Sequence, residues 1–80
     1  MVNVIIYSKK DCHLCDIAKE QLLKIQGEIP FSWTEIDIEK NTATYEKYKF
    51  LIPVIEINGE VIFHYKINEN EMKKILMGRL

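Results

Sequence analysis

This 80-residue chain is sparing with several residue types, and each scarcity excludes something. It has two cysteines, Cys12 and Cys15. A bridge between residues three apart constrains the unfolded chain very little, so the pair is not the staple of a disulfide scaffold. Three glycines and two prolines leave no flexible linker, repeat or low-complexity segment. Eleven basic residues are intermixed with twelve acidic ones for a net charge of -1. That balance gives no field for a nucleic acid, and Lys9-Lys10 is too short to be a polybasic patch. The apolar stretch Val4-Ile5-Ile6-Tyr7 falls far short of the ~18 residues of a membrane span, and no basic n-region with a small-residue cleavage site follows the first methionine. We therefore expect a cytoplasmic protein with neither a nucleic-acid nor a membrane partner. In a reducing compartment a Cys-x-x-Cys pair is more often catalytic or metal-binding than structural.

What the chain does have is an ordinary globular composition, 48% apolar and 29% charged. It is read as one small domain over residues 1–80, of a size that removes only about 60% of its unfolded surface from water.

Residues 2–7, rich in β-branched side chains, predict a central strand buried on both faces. Asp11 is placed to cap a helix whose apolar positions Leu14, Ile17, Ala18, Leu22 and Ile25 recur at three- and four-residue steps, ending near Gly27. Residues 31–38 are β-prone, but Phe31 and Trp33 share one face and Ile36 and Ile38 the other, so the inward face stays open. A strand, helix and strand of these lengths form a right-handed βαβ unit with the two strands parallel. Asn41 or Thr42 starts a short helix reaching Tyr48. Two strands, residues 54–57 and 60–63, flank Asn58-Gly59, the dipeptide suited to a type I′ hairpin turn. Asn68, with Glu71 three residues on, starts a last helix with the stripe Met72, Ile75 and Leu76, stopped by Gly78. The order β-α-β-α-β-β-α predicts an α/β fold with a four-stranded mixed sheet and helices on both faces.

The chemistry points to the junction of the first strand and helix. There the sulfur of Cys12 meets unsatisfied N–H groups and the positive end of the helix dipole, which favour a thiolate. A free thiol with a pKa of about 8.5 is only a few per cent ionised at neutral pH, and a helix-start Cys-x-x-Cys brings it to about 7. That shift takes about 2 kcal/mol. Lys9 or Lys10 assists it and Asp11 opposes it, predicting a modest lowering. Cys15, one turn on and facing the sheet, is shielded and protonated until a mixed disulfide forms on Cys12. His13 either adds charge as an imidazolium or shapes partner contact from an exposed helix position. His64, alone on a strand, receives no role.

The run Tyr7-Ser8-Lys9-Lys10-Asp11-Cys12-His13-Leu14-Cys15, with Ile52-Pro53-Val54 ahead of the hairpin, resembles the glutaredoxin family within the thioredoxin-fold superfamily. The Cys-His-Leu-Cys stretch is similar to the small bacterial glutaredoxin-like proteins. The resemblance implies a thiol–disulfide oxidoreductase with Cys12 as nucleophile and Cys15 as resolving thiol. It also implies a cis peptide before Pro53, whereas physics alone favours trans because only about 5 to 6% of X-Pro bonds are cis. The Ile52 backbone would then be free to pair with an incoming peptide, and Lys9 would meet a glutathione carboxylate. One departure counts against glutathione: the Gly-Gly and acidic residue expected after the hairpin are replaced by Phe63-His64-Tyr65-Lys66-Ile67-Asn68.

The resulting expectation is a monomeric reductase of protein or small-molecule disulfides. It carries no bound cofactor or metal and is recycled by a thioredoxin reductase or by glutathione. Two other classes remain open. A metal or iron-sulfur module would use Cys12 and Cys15, although His13 is too close in sequence to complete a tetrahedral zinc site with them. A non-catalytic thioredoxin-fold adaptor would have dispensable cysteines.

Overall fold

Alternating side chains on the first strand determine how the sheet is covered. The computed structural model describes residues 2–79, so Met1 and Leu80 of the expected domain lie outside the described residues. The elements are β1 (Asn3–Ser8), α1 (His13–Gln26), β2 (Ser32–Asp37), a 3-10 turn (Ile38–Lys40), α2 (Thr42–Tyr48), β3 (Val54–Ile57), β4 (Glu60–His64) and α3 (Glu69–Gly78). The sheet order is β2-β1-β3-β4. β1 and β2 are parallel, while the pairs β1–β3 and β3–β4 are antiparallel. The expected α/β architecture and element order are therefore present.

Val4 and Ile6 of β1, opposite Ile57 and Ile55 of β3, bury one face beneath Ala18, Leu22 and Ile25 of α1 and Met72 and Leu76 of α3. Each fully buried Leu or Ile side chain contributes about 1.5–3 kcal/mol through removal from water. Tyr7 and Val54 point the other way, into a smaller cluster with Ile38, Tyr45, Tyr48, Ile52 and Cys15. Helices thus cover both faces, but α2 spans only seven residues. The second face is consequently half-covered: Asn3 is exposed and Ile5 and Tyr7 are intermediate, rather than buried as expected for a central strand.

Further differences from the sequence expectation are local. The α1 stripe is Cys15, Ala18, Leu22 and Ile25, whereas Leu14 and Ile17 are 48% and 40% exposed. At about 100° per residue, turning Cys15 inward rotates both away from the core. The cap of α1 is Cys12, not Asp11, which adopts a φ of +56° to turn the chain from β1 into the helix. Asp is among the residues that tolerate this left-handed region. Gly27 closes α1 in right-handed geometry, with φ −67°, so it does not use glycine's freedom there. Gly78 is the last residue of α3 and Arg79 its cap, while Ile75 is only half-buried.

β2 resolves the face left open in the sequence. Its register places Trp33 beside Val4 and Glu35 beside Ile6, on the α1 side. Phe31 and Ile38, which confused the alternation, are buried but lie before and after the strand. Asn41 and Asn68 cap α2 and α3 by accepting the N–H groups of Thr44 and Glu71 at 3.1 and 3.0 Å. At the hairpin, Asn58 and Gly59 both have positive φ, +49° and +87°, as a type I′ turn requires. β4 then carries an extra residue, Ile62, where pairing passes from Ile55–Phe63 to Glu56–Val61. No helix among the described residues is long and apolar enough to cross a membrane.

Candidate active site

The two cysteines meet where β1 gives way to α1. Cys12 and Cys15 are joined by a disulfide with Cα atoms 5.2 Å apart. Cys12 has extended backbone geometry and is the N-cap. Its Sγ accepts the Cys15 N–H at 3.2 Å, and its carbonyl accepts the Asp16 N–H at 3.1 Å. One orphan donor of the helix start is therefore aimed at the first sulfur. Cys12 is half-buried, whereas Cys15 is 0% exposed and packs with Ile38, Tyr48, Ile52 and Val54. The two cysteines differ in exposure although both belong to one turn of helix.

The remaining residues singled out from the sequence divide into two groups. Ile52 and Pro53 are buried, and the Ile52-Pro53 bond is cis. Ile52 packs in the same cluster as both cysteines, so this loop lies against the sulfurs. Its N–H and C=O take no hydrogen-bond partner among the described residues. His13 is the exposed first residue of α1, with its side chain outside the apolar cluster. Lys9 is exposed on the wall of a polar crevice of about 570 Å³, bounded by residues 8–11, Asp16 and Lys19 of α1, and residues 35–37, 40 and 41. Neither cysteine lines that crevice.

The crevice also holds a polar cluster that the sequence pattern does not advertise. Ser8 is buried, and its Oγ donates to Glu35 at 2.6 Å; the Lys19 ammonium donates to the same carboxylate at 3.0 Å. Hydrogen bonding from Ser8, reinforced by Lys19, holds the Glu35 carboxyl below its ordinary pKa. The reciprocal bond to Glu35 raises Lys19. The sequence signals were faint: a serine ending an apolar strand and a glutamate inside a β-prone run. On the opposite face, the Tyr7 hydroxyl donates to Glu56 at 3.0 Å, and the Tyr7 and Tyr48 rings stand 4.7 Å apart. Desolvation, then the Glu56 bond, push Tyr7 up to about 12.

The sequence pattern does not advertise Tyr65 either. Its backbone has a φ of +67°, and its N–H donates to the carbonyls of Pro53 at 2.9 Å and Leu51 at 3.3 Å. The segment after β4 is thereby tied to the cis-proline loop. Among the described residues, no three His, Cys, Asp or Glu side chains gather as a metal site.

With this geometry in hand, comparison with known proteins fixes the family. The model of the glutaredoxin-like domain (DUF836) matches residues 3–77. The chain belongs to this glutaredoxin-like family. A curated relative of the glutaredoxin-like chain, the glutaredoxin-like protein YDR286C homolog of Dictyostelium discoideum, is 31% identical over 77 residues. The match covers 89% of this chain and 71% of the relative. Among solved structures, protein Ne2328 from Nitrosomonas europaea is similar with a TM-score of 0.84 at 22% identity, over 94% of this chain and 91% of that one. The oxidized form of mitochondrial thioredoxin 3 from Saccharomyces cerevisiae is similar with a TM-score of 0.68 at 15% identity, over 96% and 77% of the two chains. These structural likenesses show the thioredoxin fold. The glutaredoxin-like chain thus combines that fold with a Cys-x-x-Cys pair at bonding distance.

Proposed function

We propose that this glutaredoxin-like protein is a thiol–disulfide oxidoreductase that uses Cys12 to attack and Cys15 to resolve. The observation that carries the reading is the asymmetry of the bridged pair: a partly exposed Cys12 at the cap of α1 and a fully buried Cys15 in its first turn. In the reduced protein the Cys12 thiolate attacks one sulfur of a partner disulfide. A mixed disulfide forms, and the partner's other sulfur leaves as a thiolate and takes a proton. Cys15, as its thiolate, then attacks Cys12 Sγ. This closes the Cys12–Cys15 bridge and releases the second partner thiol. Two electrons pass from the dithiol to the partner, and an external thiol reductant restores the dithiol.

The surrounding residues support binding rather than chemistry. The unpaired Ile52 backbone beside cis Pro53 provides a donor and an acceptor for an extended polypeptide, as in strand addition. His13 lies at the exposed rim, and Lys9 offers a cation on the crevice side. Protein or small-molecule disulfides fit this site better than glutathione does. The Tyr65 N–H is already used by Leu51 and Pro53, and the Glu71 N–H by Asn68. Cytoplasmic action as a monomer, recycled by a thioredoxin reductase, completes the reading.

The test is a coupled assay following NADPH consumption with a model disulfide, supplied once with thioredoxin reductase and once with glutathione and its reductase. Turnover that vanishes in Cys12→Ser supports the assignment. Unchanged turnover in that variant refutes it.

A further inference from the structure

Three non-glycine residues among the described ones have left-handed backbones: Asp11, Asn58 and Tyr65. The first two are turn residues of types that tolerate this region, and each turns the chain between elements. Tyr65 is different. A bulky side chain at positive φ is an outlier, and such strain persists only where the surroundings over-determine it.

Here the surroundings are the cis-proline loop. Two carbonyls, of Leu51 and Pro53, converge on the Tyr65 N–H and hold its Cα against the loop that borders the cysteines. The strain is not repaid by core packing, because the side chain is 50% exposed and belongs to neither apolar cluster. Among the described residues its aromatic neighbour is His64, edge-on at 6.3 Å. Core stability therefore does not account for an aromatic ring at this position.

We propose that Tyr65 is a specificity-determining residue of the site: its ring receives an apolar or aromatic side chain flanking the cysteine of a polypeptide disulfide. The proposal rests on the oxidoreductase reading and names its substrate class. A segment paired in extended form with the Ile52 backbone projects alternate side chains to either side. The side chain directed toward the segment after β4 meets the Tyr65 ring. Two aromatic rings in contact gain enough beyond simple area burial for a discrimination of about two- to tenfold. A small disulfide without a flanking side chain has no such contact to make.

The test compares two disulfide-bridged peptides, identical except for Phe or Gly beside the attacked cysteine, in wild type and in Tyr65→Phe, Tyr65→Ala and Tyr65→Gly. The readout is the ratio of their kcat/KM values. Wild type and Tyr65→Phe should favour the Phe peptide by about fivefold, within the range for an aromatic pair. Tyr65→Ala and Tyr65→Gly should bring the ratio to about one, with Tyr65→Gly also melting higher as backbone strain is relieved. A ratio near one in wild type, or one that survives in Tyr65→Ala and Tyr65→Gly, overturns the proposal. Reduction of hydroxyethyl disulfide by the wild type reports the dithiol itself. If it proceeds while the peptides are not distinguished, only the role of Tyr65 falls; if wild type reduces neither that compound nor the peptides, the oxidoreductase reading falls as well.

Discussion

The Ser8 hydroxyl donates to the Glu35 carboxylate at 2.6 Å, joining the last residue of β1 to the interior of the neighbouring edge strand. The serine is buried and the glutamate is partly open to solvent, and Lys19 meets the same carboxylate oxygen at 3.0 Å. The polar crevice beside Lys9 is therefore held by a hydrogen bond that couples strand to strand and an ion pair that couples strand to helix.

Ser8→Ala removes the bond and leaves the carboxylate to water and Lys19. A hydrogen bond to a charged group contributes about 1.5–3 kcal/mol, and the exposure of Glu35 reduces this to about 1 kcal/mol. The folded-state pKa of Glu35 is depressed, so its contribution is present above the unfolded value and lost as pH falls through the folded one. Urea denaturation should show Ser8→Ala less stable than wild type at pH 7, with a smaller difference below about pH 4, under the ordinary carboxylate value. An equal difference at both pH values contradicts the charge-assisted origin.

Tyr7 works in the opposite direction on the pH axis. Desolvation and the bond to Glu56 raise its folded pKa from 10.0 to about 12. The stability from keeping the phenol neutral is fully present below 10.0 and lost as pH rises toward about 12. An ultraviolet titration of tyrosinate should show a late component that is absent in Tyr7→Phe. At neutral pH that variant loses one partly buried hydrogen bond, about 0.5–1.5 kcal/mol.

The apolar stripe of α1 illustrates what was legible in the sequence. Ala18, Leu22 and Ile25 announced an amphipathic helix, and periodicity alone placed them inward. The same three- and four-residue steps accommodate Leu14 and Ile17, because near the start of a helix the phase is set by whatever the first turn must bury. Here that residue is Cys15. Leu22→Ala should cost about 2–5 kcal/mol in chemical denaturation, whereas Leu14→Ala, at an exposed site, should change stability by less than about 0.5 kcal/mol. Comparable losses would place both residues in the core.

The strands, the parallel pairing of the first two and the hairpin followed from β-branched runs, the βαβ spacing and Asn58-Gly59, all of which act locally. Ser8, Glu35 and Tyr65 did not stand out because their roles depend on partners distant in sequence. Glu35 meets Ser8 across 27 positions, and Tyr65 meets Pro53 through its backbone, which no residue type advertises. The cis bond before Pro53 followed from the family resemblance, whereas the general rarity of cis X-Pro bonds favours trans.

The unequal burial of the cysteines sets an order of modification. After reduction, iodoacetamide at neutral pH should label Cys12 well before Cys15, as read by peptide mass mapping after a timed quench. Cys15→Ser should accumulate mixed disulfides on Cys12, while Cys12→Ser should not trap partners. Faster labelling of Cys15 would reverse the two roles.

Glutathione recognition turns on the backbone donors beyond β4. Where the family resemblance anticipates a glycine pair, the chain has residues 63–68, and the Tyr65 N–H is committed to Pro53 and Leu51. The Glu71 N–H is committed to the Asn68 side chain, and Glu69 and Glu71 add carboxylates to the first turn of α3. A γ-glutamyl carboxylate arriving there would meet like charge and occupied donors. Losing one charge-assisted hydrogen bond of about 1.5–3 kcal/mol weakens binding by at least about tenfold. Reduction of a glutathione mixed disulfide should therefore need both Cys12 and Cys15, and Lys9→Ala should change it by no more than about twofold, as for a solvent-exposed ion pair. The decisive measurement is monothiol turnover in Cys15→Ser as glutathione is varied. Slow rates that rise in proportion to glutathione fit an enzyme without a formed site for the tripeptide. Fast turnover that saturates in the low millimolar range would mean that other groups near Asn68 supply the donors.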